Sequence, residues 1–87
     1  MANHKSALKR ARQNEVRKIR NKGYKTSTKK AIKEVRAAVA DGSAEEARER
    51  LANAVSIIQK TASKGVIHKN QASRKISRLT RQVNHIT

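Results

Sequence analysis

The chain has 87 residues, enough for one small domain and too few for two. It holds 22 Lys and Arg against 6 Asp and Glu, for a net charge of +16 and a pI of about 11.5, with one aromatic residue, Tyr24. A compact state with that charge repels itself unless a polyanion neutralises it, so nucleic acid is the first partner class to consider and an anionic membrane surface the second. The absence of cysteine removes disulfide frameworks and thiol chemistry and fits a cytosolic chain. No apolar run approaches the ~18 residues of a spanning helix, and the N-terminus lacks the apolar core of a secretory signal.

Residues 1–7 read as a flexible arm in which Asn3 or Ser6 can cap a helix start. From about Asn3 to Ala40 the chain is rich in Ala, Lys, Arg, Gln and Leu, has no proline and one glycine, Gly23, and ends at the stop signal Asp41-Gly42. This predicts a helix on the order of 35 residues and roughly 50 Å. Its second half carries a core-facing stripe of Thr28, Ile32, Val35 and Val39, with Tyr24, Ala31 and Ala38 beside it. In its first half Leu8, Ala11, Val16 and Ile19 point roughly the opposite way. The first half is therefore expected to project, with a bend tolerated at Gly23.

Ser43 and Glu46 have the spacing of a capping box opening a second helix. Glu46–Arg50 and Glu45–Arg48 are its expected local ion pairs. Ala47, Leu51, Ala54, Ile58 and Ala62, widened by Val55, form its seam, and Lys64-Gly65 ends it. The third helix is expected from near His68–Asn70 to about His85, with the seam Ala72, Ile76, Leu79, Val83 and Ile86. The fold class is all-α: a three-helix bundle with a long, projecting N-terminal helix. Residues 1–23 form a basic arm and 24–87 the bundle of a single domain. The expected core is Ile32, Val35, Val39, Leu51, Val55, Ile58, Ile76, Leu79, Val83 and Ile86.

Nothing in the chain suggests an enzyme. The acids Asp41, Glu45, Glu46 and Glu49 gather at the start of the second helix, where they serve the helix dipole. His4, His68 and His85 share no metal-ligand spacing, and His68 suits phosphate contact or capping. No cofactor, small-molecule substrate, membrane or homo-oligomer is expected. The basic residues carry the functional signal. Arg12, Arg17, Lys18, Arg20, Lys22, Lys25 and Lys29 surround the first helix with only Glu15 and Glu34 opposing them, and Lys75 belongs to the acid-free third helix. A helix-turn-helix DNA binder needs a compact turn before a recognition helix, which this layout lacks. Folded RNA, read by shape and 2′-hydroxyl with few stacking aromatics, fits better. A nucleoid-associated or other non-specific DNA-binding protein is the alternative. Without RNA, residues 1–23 are expected to be largely disordered, because their cations repel one another and an isolated helix is marginal.

Residues 65–79, Gly-Val-Ile-His-Lys-Asn-Gln-Ala-Ser-Arg-Lys-Ile-Ser-Arg-Leu, contain a Gly-x-Ile-His-Lys-Asn-x-Ala-x-Arg pattern. The start, Ala2-Asn3-His4-Lys5-Ser6-Ala7-Leu8-Lys9-Arg10, is a second marker. Both resemble the bacterial small-subunit ribosomal protein S20 family, and length, helix count and the acidic second helix agree along the whole chain. The resemblance implies a three-helix bundle on the cytoplasmic ribosome. It would bind 16S ribosomal RNA directly near the foot of the small subunit, early in assembly, as a scaffold without catalysis. It assigns RNA-facing positions to Lys5, Ser6, Lys9, Arg10, Asn21, His68, Lys69, Asn70, Arg74 and Arg78.

Overall fold

The structure is a computed structural model that describes the backbone of residues 2–87 and the side chains of residues 6–87. Among the described residues there are three helices and no strand: α1 (Ala2–Ala40), α2 (Ala44–Ser63) and α3 (Lys69–Ile86). At 39 residues α1 is about 58 Å long. It sets the 64 Å long axis of a molecule only 21 and 13 Å across.

The helix begins earlier than a flexible arm over residues 1–7 would allow. Ser6 lies inside α1 and does not cap it, and Asn3 also falls within the helix. No proline or glycine precedes Gly23, and the good helix formers there carry the backbone conformation back to Ala2. Gly23 does not interrupt the helix either, and its φ is not positive.

Both links close on a left-handed glycine, at φ 71° for Gly42 and 75° for Gly65. After α1, Gly42 N–H donates to Val39 O (3.0 Å) and Ser43 N–H to Ala38 O (3.2 Å). After α2, Gly65 N–H donates to Ala62 O (2.9 Å) and Val66 N–H to Thr61 O (3.2 Å). Each pair is the 5→2 and 6→1 pattern of a Schellman closure, which satisfies carbonyls a helix end leaves open. The first closure also takes up one half of the expected capping box, which does not form. Ser43 occupies the N-cap position and its carbonyl accepts from Ala47 N–H at 2.9 Å, yet its side chain makes no cap bond. The Ser43 N–H that Glu46 would engage is already donated to Ala38.

The links turn the chain back on itself. Glu34 meets Arg50 and Thr28 meets Thr61, so α1 and α2 run antiparallel. α2 packs against both neighbours, while α1 and α3 touch least. The buried core is Ala31, Val35, Ala38, Ala47, Ala54, Ile58, Ala72, Leu79 and Val83. Ile32, Val39, Leu51, Ile57, Ala62, Ile67, Ile76 and Ile86 pack around it.

Two details depart from the expected core. Val55 is half-buried but lies outside that cluster, and Ile57 takes a place in it. A helix that faces two partners needs a wide buried arc, and Ile57 extends that arc on the side towards Ala31 of α1. Thr61 is the second departure. It is fully buried beside the 5%-exposed Thr28, and its hydroxyl is satisfied within the core, so the position accepts a polar side chain.

Candidate nucleic-acid interface

Burial divides α1. Every residue from Ser6 to Arg20 is exposed, Asn21 and Tyr24 are half-buried, and Thr28 is the first buried residue. Leu8, Val16 and Ile19 are 57%, 67% and 67% exposed, so none joins the bundle core, as their angular position required. The first half of α1 therefore projects from the bundle. Lys9, Arg10, Arg12, Arg17, Lys18 and Arg20 all lie in this exposed part, with Glu15 as its acid.

Ion pairing is sparse. Among the described residues it involves one cation, Arg50, which reaches Glu34 at 3.4 Å and Glu46 at 3.9 Å. The Glu46–Arg50 pair expected within α2 forms, but the Glu45–Arg48 pair does not. Glu45 and Arg48 are exposed, as are Glu46 and Arg50, so either pair gains little net attraction in solvent. The Arg50–Glu34 contact, which ties α2 to α1, has no local spacing that would announce it.

The other candidate residues fall into groups. Ser6 and Arg10 line one shallow furrow on α1 with Asn14. Arg12, Arg17 and Arg20 share another with Gln13 and Val16. Arg17, Lys18, Asn21, Lys22 and Lys25 line a third, again with Asn14. Lys9 and Lys29 are exposed beside these furrows. The side chain of Lys5 lies outside the described residues. On α3, Arg74 and Arg78 share a furrow with Ser73, Ser77 and Arg81 on the face away from the core. Lys75 is half-buried and flanks the seam between Ala72 and Leu79, so it is not part of that furrow. Asn14 and Arg81 were missing from the sequence candidates. Their signal is spacing: Asn14 stands four residues from Arg10 and three from Arg17, and Arg81 stands three from Arg78.

His68 is the N-cap of α3, with Nδ1 accepting from Asn70 N–H at 3.1 Å. This fixes the ring as a cap and leaves its other nitrogen exposed with Lys69 and Asn70. Because Thr61 meets Thr28, the link from 64 to 68 lies at the end of the bundle from which the first half of α1 departs. The Gly65–Asn70 turn and the base of the basic projection are thus at the same end.

Among the described residues, no group of three His, Asp or Glu could hold a metal ion. No helix there is long and apolar enough to cross a membrane.

Residues 2–84 match the family model for ribosomal protein S20. A small ribosomal subunit protein bS20 of Syntrophobacter fumaroxidans is 62% identical over 84 residues, 97% of this chain and 98% of that protein. The protein of the same name from Desulfosudis oleivorans is 60% identical over 97% of this chain and 96% of its own length. The one from Desulfatibacillum aliphaticivorans is 58% identical over 95% and 94%. The chain therefore belongs to the ribosomal protein S20 family.

Proposed function

We propose that this protein is a structural constituent of the small ribosomal subunit in the cytoplasm that binds 16S ribosomal RNA directly and stabilises its folding during assembly. It is not an enzyme: its family is one of structural ribosomal proteins. In this reading residues 1–23 are the arm and 24–87 the bundle of one RNA-binding domain. RNA lies against the exposed first half of α1 and the Arg74–Arg78 face of α3, while α2 faces away. The observation that carries the reading is the run from Ser6 to Arg20. It is exposed throughout and carries cations that pair with no acid among the described residues. Such a projection has no use for its charge within the protein, whereas packed RNA offers phosphates on several sides of an inserted helix. Chemical footprinting of 16S ribosomal RNA with and without the protein is the test. Protection should appear at a discrete set of helices and vanish when residues 1–20 are deleted. A footprint unchanged by that deletion would contradict the role given to the arm.

A further inference from the structure

The first half of α1 is not uniformly basic. Lys18, Lys22, Lys25 and Lys29 follow one another at steps of four, three and four, so they form a ridge of ammonium groups along one side. Arg10, Asn14, Arg17 and Asn21 repeat the same steps on a neighbouring row, about 80° around the axis. That second row continues downstream into Thr28, Ile32, Val35 and Val39, the face that the bundle buries. Where α2 and α3 no longer cover this face, it changes from aliphatic side chains to carboxamides and guanidiniums.

One furrow runs between the two rows, with Asn14, Arg17 and Asn21 on one bank and Lys18, Lys22 and Lys25 on the other. The banks differ chemically. An ammonium group offers three donors and no acceptor, whereas a carboxamide offers both. A phosphate oxygen only accepts, so the amide oxygen has nothing to do there. A ribose 2′-hydroxyl donates and accepts, and so matches an amide. Asn is also a poorer helix former than the Lys, Arg and Ala around it. Among the described residues neither Asn14 nor Asn21 makes a side-chain hydrogen bond to the protein. Both amides are thus placed in a charged furrow with their bonding capacity free.

We propose that this furrow lies along one RNA strand and reads its sugar: Asn14 and Asn21 pair with ribose 2′-hydroxyls while Lys18, Lys22 and Lys25 hold phosphates of that strand. The inference rests on the RNA-binding reading above and adds the part of the arm that tells RNA from DNA.

The test uses the full chain and one hairpin sequence made as ribose RNA, as 2′-fluoro RNA and as DNA. The fluoro form keeps the A-form helix and the phosphate charge but loses the hydroxyl proton. Affinities are read by fluorescence anisotropy over a range of salt. The unmodified protein should favour ribose over 2′-fluoro RNA about tenfold, as expected for two hydrogen bonds. Asn14→Ala with Asn21→Ala should bring that ratio to about one without changing the salt slope. Alanine raises helix propensity, so this variant keeps α1, and circular dichroism checks that it does. Lys18→Gln with Lys22→Gln and Lys25→Gln should leave the ratio intact and make the log–log salt slope shallower by about two. A wild-type ratio of one, or a ratio that survives the amide substitutions, overturns the proposal while leaving the footprint on 16S ribosomal RNA unaffected. A lysine variant with an unchanged slope removes the phosphate bank from the proposal and counts against the RNA-facing role of the arm itself.

Discussion

Thr28 Oγ1 and Thr61 Oγ1 lie 3.1 Å apart where α1 crosses α2. Each hydroxyl is also within bonding distance of a carbonyl one turn back, Tyr24 O at 2.9 Å and Ile57 O at 2.8 Å. Two protons are thus shared among three contacts, and both carbonyls are in addition acceptors for their own helix. Replacing both threonines by valine keeps the shape and leaves no buried donor stranded. Exchanging both partners of a bond for apolar groups of the same shape is close to neutral. Thr28→Val with Thr61→Val should therefore unfold within about 1 kcal/mol of the parent in thermal melts. A loss above about 2 kcal/mol would mean that the pair contributes more than its own satisfaction.

The arm should be the least protected part of the free protein. Residues 6–20 make no buried contact, and helices without tertiary support fray. Amide hydrogen exchange is expected to show little protection from Ser6 to Arg20 and clear protection around Val35, Ala54, Ile58 and Leu79. Strong protection at Leu8–Arg20 in the monomer would contradict this.

Gly23→Ala should stabilise the helix at the base of the arm. A Cβ there meets nothing within 4 Å, and the backbone is ordinary helix. The gain is about 1 kcal/mol of local helix stability. It should appear as higher helicity by circular dichroism and slower exchange on both sides of residue 23, with little change in the bundle's melting temperature. Lower helicity would show that the glycine has a role that its open surroundings do not reveal.

Glu45→Gln with Glu49→Gln should change affinity for 16S ribosomal RNA by no more than a few fold. Both side chains are exposed at the start of α2, neither forms an ion pair, and their effect on the helix dipole is local. A large change would place this edge of α2 against RNA.

The three helices and all their ends except the start of α1 could be read from the sequence because the signals were local. Gly42 and Gly65 mark stops that need a left-handed residue, and the Ala72–Ile86 seam has a clean helical period. The projection of the first half of α1 followed from the angle of Leu8, Val16 and Ile19 against the later stripe. What escaped was set by tertiary context. Ser43 has the spacing of a capping box, but its N–H is used by the preceding helix. Thr61 lies outside the seam read from the sequence, and only its meeting with Thr28 makes its burial acceptable. The Arg50–Glu34 bridge joins residues sixteen apart, beyond any helical spacing rule. In the interface, Lys and Arg announced themselves by charge. Asn14 did not, because an uncharged side chain in a basic helix stands out only when the furrow beside it is seen.

The two short links also set the pace of folding. Residues 41–43 and 64–68 join helices that are neighbours both along the chain and in space, so most of the packing brings together segments already close. Chains dominated by such near-neighbour contacts fold in microseconds to milliseconds. The sequence contains no proline, so no slow X-Pro isomerisation delays any copy. Stopped-flow or temperature-jump refolding is expected to give one fast exponential phase. A newly made chain would then present a finished bundle within a fraction of a second, so its own folding would not delay the binding proposed above.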